Sequence, residues 1–431
     1  MISKPHQDEA YVWIWLPGTT QPVVAGRISR HGERLSFNYG QSYLDRPEAI
    51  PIFEPELPLQ RGLISPAAGL SMVGCLRDGT PDAWGRRVIL NHLLGRAGRD
   101  TDIGRLDELT YMLASGSDRI GALDFQASPT EYEPRGAQAA GLEELLGAAE
   151  KIERGIPLTP ELDQALLHGS SIGGARPKAM IEDAERKLIA KFSSSTDTYN
   201  VVKAEYVAMR LAAMLGLDAA PVQLAHVAGK DVLLVERFDR VRAEAGWQRR
   251  AMVSALTLSG LDEMMARYAS YADLTEIIRH RFSQPRETLR ELFGRLIFNI
   301  LCGNTDDHAR NHAAFWNGKQ LTLTPAYDLC PQNRTGNEAS QAMLITGDDR
   351  MSRITTCLAA APNFLLDTRA AEDLIADQIE RLHAAWPEVA EEAALTKIDR
   401  AVLTGRVFLN PFVFEGAPPR LSRARLATYG M

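Results

Sequence analysis

The stretch NTDDHARNHAAFWNGKQLTLTPAYD, residues 304–328, decides the fold that we predict for this chain. It carries Asp306, then Asn311 after four intervening residues, then Asp328 beyond a short hairpin. Carboxylate and amide oxygens suit a hard cation such as Mg²⁺, which takes few protein ligands and completes its shell with water or phosphate oxygens. The stretch therefore predicts a site for a cation and a phosphorylated ligand.

The spacing D-x-x-x-x-N is that of a protein-kinase catalytic loop, where the Asp accepts the proton of the attacking hydroxyl and the Asn holds Mg²⁺. On this interpretation Asp306 is the catalytic base, and Asn311 and Asp328 hold the metal. Taken alone, the spacing also fits a polar turn in which these residues have no catalytic role. Other kinase parts, in kinase order, decide between the two.

The flanking pattern supports the geometry. Apolar residues at helical spacing over 289–301 predict a buried helix that enters the loop and ends near Gly303. Residues 313–316 and 321–323 predict strands joined by an Asn317-Gly318 hairpin turn. The hairpin returns the chain, so that Asn311 and Asp328 can face one metal.

Composition excludes several protein classes. The 431 residues predict two or three domains, and 48 basic against 55 acidic residues give a net charge of −7. A chain this acidic is a poor stand-alone nucleic-acid binder. The four cysteines form no C-x-x-C pair, which indicates neither a zinc site nor a disulfide framework. With no secretory signal pattern in residues 1–10 and no spanning apolar run, we expect a cytoplasmic protein without a membrane partner.

The N-terminal region predicts one α+β unit over residues 1–126. Its predicted elements are strands at 11–16, 23–28 and 34–39, a helix from an N-cap at Thr80 to Leu94, a helix near 106–114 and a strand at 120–125. A polar Pro/Gly linker at 127–138 and two short helices ending at His168 follow.

Residues 169–181, GSSIGGARPKAMI, form a glycine-rich segment. Gly173 and Gly174 would let backbone N–H groups approach phosphate oxygens, and Lys178 adds charge. The segment is not a Walker A loop, and alone it also fits an ordinary turn.

A strand at 187–192 contains Lys191, which fits either a phosphate-binding strand lysine or a solvent-facing edge position. Glu205 lies on a predicted helix at 200–215, where it would orient that lysine or simply be solvated. A hairpin of strands 222–227 and 232–235 then leads into Glu236–Arg240, where a kinase would bind adenine. The chain beyond Met252 reads as mostly helical, with a helix at 367–386 stopped by Pro387 and a loosely held tail from Asn410.

The motifs SSIGGARPK, VERFDR, NTDDHARN and LTPAYDL together resemble the HipA-like serine/threonine kinases of bacterial toxin–antitoxin systems. The resemblance extends to LPLQRG (57–62), PDAWGR (81–86) and DRIGALDF (118–125) and covers most of residues 11–410. The chain lacks the H-R-D and D-F-G motifs of other protein kinases.

The resemblance implies an α+β, two-lobed protein-kinase-like fold with a mixed N-lobe, an extra N-terminal subdomain and a mostly helical C-lobe. The expected segments are the subdomain at 1–126, a linker with short helices at 127–168, the N-lobe core at 169–240, the C-lobe at 241–410 and a tail at 411–431. It also implies ATP and Mg²⁺ as cofactors, a protein substrate for which aminoacyl-tRNA synthetases are the expected class, and a HipB-like helix-turn-helix antitoxin as partner, with DNA reached only through that antitoxin.

Roles carried over by motif position give Asp306 as base and Asn311 and Asp328 as Mg²⁺ ligands. His308 either supports the loop or a phosphate, or is a packed histidine of the turn. The residues implied to bind ATP are Ser171, Ile172, Gly173, Gly174, Ala175, Lys178, Lys191, Glu236, Phe238 and Asp239. Ser171 is the implied autophosphorylation site, with Ser170 as its neighbour. PDAWGR is interpreted as a capped helix with a buried Trp84.

Two further hypotheses stay open from the sequence. The chain could act as a co-repressor of the antitoxin with a dispensable kinase site, although intact Asp306, Asn311 and Asp328 argue against a dead site. Alternatively, a kinase-like site could transfer a nucleotidyl group in place of the γ-phosphoryl group.

Overall fold

A computed structural model of the chain describes residues 8–95, 101–136, 140–334, 336 and 338–426. The chain divides into two compact units. Unit 1 comprises 1–196, 225–253 and 315–319, and unit 2 comprises 197–224, 254–314 and 320–431. Within the described part of the chain, no helix combines the length and apolarity needed to cross a bilayer.

The strands are β1 (Glu9–Ile14), β2 (Val23–His31), β3 (Arg34–Tyr39), β4 (Leu123–Gln126), β5 (Lys178–Glu182), β6 (Lys187–Lys191), β7 (Val222–Val227), β8 (Lys230–Glu236), β9 (Arg240–Ala243), β10 (Gly246–Arg249), β11 (Ala251–Ser254), β12 (Ala313–Trp316) and β13 (Leu321–Leu323). The helices are α1 (Gln41–Leu44), α2 (Gly74–Arg77), α3 (Ala83–Leu94), α4 (Glu108–Ala114), α5 (Leu142–Glu153), α6 (Pro160–His168), α7 (Val201–Met214), α8 (Ala255–Leu258), α9 (Tyr271–Arg281), α10 (Pro285–Cys302), α11 (Ile354–Ala360), α12 (Thr368–Glu392), α13 (Lys397–Leu403) and α14 (Pro419–Leu426). Short 3-10 segments lie at Ile103–Arg105, Gly169–Ser171, Glu263–Tyr268, Ala309–Asn311, Ala361–Phe364 and Pro411–Phe414.

The first sheet of unit 1 has the strand order β3-β2-β1-β4 and is antiparallel throughout. This confirms the predicted N-terminal sheet. Helix α3 begins two residues later than predicted, because Asp82 and not Thr80 holds the N-cap position. The helix ends as predicted at Gly95, whose φ of 70° closes it in the left-handed conformation that glycine adopts without steric cost.

The second sheet has the order β5-β6-β8-β7, with β7 belonging to unit 1 from Ala225 onward. Strand β6 lies between β5 and β8, so the edge position considered for Lys191 is wrong. The β7–β8 turn has positive φ at Ala228 (49°) and Gly229 (75°), the handedness that suits the twist of a tight hairpin.

Unit 2 is organised around α10, whose residues from Leu292 to Cys302 are buried without interruption. Helix α12 packs against both α7 and α10. A close approach is visible at Gly294, where an added Cβ would lie 2.9 Å from Leu217 Cδ2. Helix α10 ends at Gly303 with φ 73°, as predicted, and this end delivers the chain into residues 304–328.

Two predictions about the C-terminal part are wrong. Helix α12 continues through Pro387 to Glu392, since Val389 and Ala390 beyond the proline are buried and hold the last turns in place. Residues 410–426 are not a loose tail, because Phe412 and Val413 are buried and α14 packs on α12. Residues 427–431 of the predicted tail lie outside the described residues.

Candidate active site

The loop after α10 presents Asp306 to solvent and folds back on itself through Asn311. The Asn311 side-chain Nδ2 donates to the Asp306 carbonyl (3.1 Å), and its backbone N–H donates to the His308 carbonyl (2.8 Å). Asn311 itself is buried. The predicted base and the predicted amide ligand are therefore joined by a direct hydrogen bond.

The segment before Asp328 is tied to the same loop. The Tyr327 hydroxyl donates to the carbonyl of Arg310 (2.7 Å), so the residues that precede Asp328 and Asn311 are in contact. Ala326 is in turn fixed by backbone hydrogen bonds to Asp218 and Ala220. The structure thus brings the residue before Asp328 into contact with the loop that carries Asn311, as the hairpin pattern predicts.

The backbone at Asp328 is left-handed, with φ 58°. A non-glycine residue in this region is uncommon, and such strain concentrates at functional sites.

The chemistry of the donors fits Mg²⁺. Asn311 and Asp328 offer oxygen ligands, and among the described residues no group of three or more His, Cys, Asp or Glu side chains could enclose a metal. Mg²⁺ is commonly held by one or two carboxylates, with phosphate oxygens and water completing its shell. The assignment of both residues as ligands stays a prediction.

Behind the loop lies a buried trio that the sequence did not reveal. The Tyr271 hydroxyl donates to Asp307, and His312 Nε2 lies 2.8 Å from Asp307 Oδ1. Burial, followed by the Asp307 carboxylate, raises the pKa of Tyr271 well above its usual value. Asp307 is 1% exposed while its neighbour Asp306 is exposed, so the two adjacent carboxylates have different tasks: Asp307 fixes the loop and Asp306 faces outward.

His308 is half-buried, and its Nδ1 is buried without a hydrogen-bond partner among the described residues. A packed histidine would normally satisfy this nitrogen. The buried Nδ1 of His312 has no hydrogen-bond partner among the described residues either, so both interpretations of His308, ligand contact and packing in the turn, stay predictions.

In unit 1, the glycine-rich segment begins as a 3-10 turn at Gly169–Ser171, and both serines are buried. Ile172 is also buried, and Gly174 has a φ of 100°. The side chain of Lys178 bends back so that its Nζ donates to the Gly173 carbonyl.

Lys178 is the first residue of β5, a strand that the sequence interpretation missed by treating Lys178 as part of the loop. In the β5–β6 ladder its direct partner is Lys191. Side chains of direct cross-strand partners lie on the same face, with Cβ atoms about 5 Å apart. The structure thus places the two predicted phosphate-binding lysines side by side in one sheet, and their contact with phosphate stays a prediction.

Glu205 lies on α7 in unit 2 and is 3% exposed, which rules out the solvated position considered for it. A buried carboxylate needs a cationic or hydrogen-bonding partner. Its burial supports a charge-orienting role, and orientation of Lys191 stays a prediction.

The segment after β8 is a buried ion network in unit 1. Both oxygens of Asp239 accept from Arg237 (3.0 and 2.8 Å), and Oδ2 also accepts from Arg240 (2.9 Å) and from the Gly121 N–H (2.8 Å). Burial would raise the pKa of Asp239, but the two arginines outweigh it and lower the pKa to about 2. This engagement favours a structural role for Asp239 over the expected contact with nucleotide.

The neighbouring residues Glu236 and Phe238 are half-buried. Glu236 pairs with Leu188 in the β6–β8 ladder, and the Phe238 ring packs edge-on against Phe315 with centroids 5.9 Å apart. Their predicted backbone contacts with adenine stay predictions.

The interpretation of PDAWGR as a merely structural helix start is incomplete. Trp84 is buried as expected, but its indole Nε1 donates to the carbonyl of Lys178 (2.9 Å). The Asp82 carboxylate accepts from the N–H of Gly174 (2.6 Å). The motif therefore belongs to the surroundings of the glycine loop, a relation that a separation of 92 residues hides from sequence patterns.

Comparison with known proteins agrees with this architecture. Residues 14–126 match the HipA N-terminal domain, and residues 170–386 match the HipA-like C-terminal domain. The kinase candidate Y4mE of Sinorhizobium fredii is 28% identical over 70% of this chain and 72% of its own. The serine/threonine-protein kinase toxin HipA of Shewanella oneidensis is 24% identical over 46% of this chain and 49% of its own.

Among solved structures, HipA from the Shewanella oneidensis HipA, HipB and operator DNA complex superposes with a TM-score of 0.68. The match covers 94% of this chain and 95% of that chain at 19% identity. It confirms the predicted kinase-like α+β fold. The two domain models together span most of the sequence, and the chain belongs to the HipA-like family.

Proposed function

We propose that this protein is an ATP- and Mg²⁺-dependent serine/threonine protein kinase and the toxin of a toxin–antitoxin pair. The observation that carries the proposal is the closed catalytic loop, in which Asn311 bonds Asp306 and Tyr327 bonds Arg310. These two contacts support the proposal, because phosphoryl transfer requires a solvent-facing carboxylate close to oxygen ligands for a metal.

Each residue has a distinct role in this proposal. Asp306 accepts the proton of the attacking serine or threonine hydroxyl, which raises the nucleophilicity of the oxygen. Lys178 and Lys191 contact the ATP phosphates, and Asn311 and Asp328 hold Mg²⁺. When bound, Mg²⁺ would neutralise the negative charge that the β and γ phosphates carry.

The partner and the substrate are proposed on the family relationship. The structural neighbour was solved with HipB and operator DNA, which supports a HipB-like helix-turn-helix partner that would link this chain to DNA indirectly. We expect a bacterial protein as substrate, with aminoacyl-tRNA synthetases as the class to test first, and Ser171 as the residue modified in the protein itself, with Ser170 as the alternative.

The deciding experiment uses the purified full-length chain with Mg²⁺ and ATP labelled either on the γ or on the α phosphate. A kinase transfers the γ label to protein and not the α label. Transfer of the α label would show nucleotidyl transfer, and ATP binding without any transfer would favour the co-repressor role. The variant Asp306→Asn is the control for a contaminating kinase.

A further inference from the structure

Asp82 and the first five residues of α3 contact the glycine loop over residues 174–178. Besides the Asp82–Gly174 and Trp84–Lys178 contacts, the Trp84 backbone N–H donates to the Gly174 carbonyl (3.3 Å). Arg87 donates through Nη2 to the Ala175 carbonyl (2.6 Å). The backbone of residues 174–178 is thus held by a helix that lies about 90 positions earlier in the sequence.

Gly85 explains how close this contact is. A Cβ added there would lie 1.8 Å from the carbonyl oxygen of Ser170, a distance that no side chain tolerates. Glycine inside a helix is normally less favourable than alanine by about 1 kcal/mol. At this position the missing side chain instead lets α3 lie directly on the loop backbone.

Asp82 sits at the N-cap position of α3, where an aspartate usually accepts hydrogen bonds from its own helix. Here the side chain makes no capping hydrogen bond and reaches across to Gly174. The left-handed turn at Gly174 is therefore held from two sides, by Asp82 on its N–H and by Lys178 on the preceding carbonyl.

We propose that Asp82 and the first turn of α3 form a positioning element that holds the glycine loop in the conformation that binds the ATP phosphates. This inference rests on the proposed function, because it names ATP as the ligand. A loop of two glycines loses much conformational entropy when a ligand orders it. A loop that is already anchored loses less, so binding becomes stronger. The N-terminal domain then contributes to nucleotide affinity without touching the nucleotide.

The test compares Asp82→Asn, which keeps a side-chain oxygen to accept from Gly174, with Asp82→Ala, which removes it. The readouts are ATP affinity from the fluorescence of a labelled ATP analogue, KM for ATP, and kcat at saturating ATP. Losing a charge-assisted hydrogen bond should weaken ATP binding and raise KM about tenfold in Asp82→Ala. The kcat should change little, and Asp82→Asn should stay close to the wild type.

Gly85→Ala should also weaken ATP binding, because the new Cβ displaces the loop. Its matched control is Gly147→Ala in α5, where an added Cβ meets no atom within 4 Å and ATP affinity should not change. Thermal melting of every variant separates a loosened loop from an unfolded protein. If Asp82→Ala does not fold, Gly85→Ala compared with Gly147→Ala carries the test.

The outcomes distinguish a failure of the proposed function from a failure of the positioning role alone. A wild-type protein that binds no ATP overturns the proposed function and, with it, the ligand named here. A wild type that binds ATP, with Asp82→Ala and Gly85→Ala equally tight, overturns the positioning role alone. Tighter binding in both Asp82 variants would also overturn it, because the carboxylate would then compete with phosphate for the loop.

Discussion

Adjacent carboxylates with opposite surroundings give the sharpest prediction for a single residue. Asp306 is exposed, and the hydrogen bond from Asn311 goes to its backbone carbonyl and not to its carboxylate. In Asp306→Asn we expect phosphoryl transfer to fall by a factor of about 100 or more, since a general base contributes 10²–10⁴-fold. ATP binding should be nearly unchanged, as measured by calorimetry, because the base acts on the transferred proton.

The matched control is Asp307→Asn. This change weakens the acceptor for Tyr271 and disturbs the contact with His312, so it should lower the melting temperature, whereas Asp306→Asn should not. Near-normal turnover in Asp306→Asn would remove this residue from the mechanism.

The left-handed backbone at Asp328 allows the effect of this residue on stability to be measured apart from its effect on ATP binding. Asp328→Ala and Asp328→Gly should both lose Mg²⁺-dependent ATP binding. Because φ is 58°, the glycine variant should be more stable than the alanine variant by about 1 kcal/mol, measured by urea denaturation. Unchanged Mg²⁺-ATP affinity in either variant would contradict the ligand role, and equal stabilities would contradict the argument from strain.

At the scale of elements, Pro387 interrupts the backbone hydrogen bonding of α12, and tertiary packing keeps the helix continuous despite it. It is exposed, and as a proline it cannot donate to the carbonyl one turn earlier in the helix. Pro387→Ala restores that donor and should stabilise the protein by about 1–3 kcal/mol against chemical denaturation, without changing ATP affinity.

Pro419→Ala provides the comparison for this effect. Pro419 is the first residue of α14, a position at which the backbone N–H has no partner within the helix in any case. We expect no gain there. An equal gain at both prolines would show that the interruption of α12 is not the cause.

The elements that sequence patterns predicted well are those with local signals. Gly95 and Gly303 end their helices, and Asn317-Gly318 turns the hairpin, because glycine takes the required conformation wherever the rest of the chain lies. Strand β5 and the β9–β10 hairpin were missed, since short half-buried segments carry weak periodicity. Pro387 shows the reverse case: the proline predicted the end of the helix, but burial of Val389 and Ala390 keeps the following residues helical.

The candidate site divides in the same way. The order of Asp306, Asn311 and Asp328 was readable because its parts lie close together in the sequence. Contacts between distant residues were not readable: Asp82 with Gly174 spans 92 positions, and Arg240 with Asp118 spans 122. Such pairs have no spacing rule, and they form only when the whole unit folds.

At the scale of the whole molecule, the buried network joins the N-terminal domain to the strand after the predicted hinge. Asp118 accepts from Arg240 (2.7 Å) and lies 3.2 Å from Arg237, and Arg237 also donates to the carbonyl of Arg119 (2.7 Å). Burial would raise the pKa of Asp118, but Arg237 and Arg240 outweigh it and hold the pKa well below its usual range.

This network predicts how stability depends on pH. A carboxylate whose pKa is lower in the folded than in the unfolded state stabilises the fold above its unfolded pKa of about 4. That contribution is lost as the pH falls through the folded value, which for Asp239 is about 2. The free energy of unfolding, from urea titrations, should therefore fall between about pH 4 and pH 2. Asp118→Asn should be less stable at pH 6 and lose less on acidification, and a parallel loss in both proteins would contradict the assignment.

The burial of Ser171 limits the rate at which this serine can be modified under the proposed function. The serine is 1% exposed, and its Oγ has no hydrogen-bond partner among the described residues. Under the proposed function, the hydroxyl can react only in molecules whose loop has left α3, while ATP is best held in molecules whose loop has stayed. Self-modification then proceeds only as often as the loop leaves α3. Each additional 1.4 kcal/mol of stability in the contact between the loop and α3 makes that event about tenfold rarer. The strength of the contact between the loop and α3 would then set the rate at which Ser171 is modified.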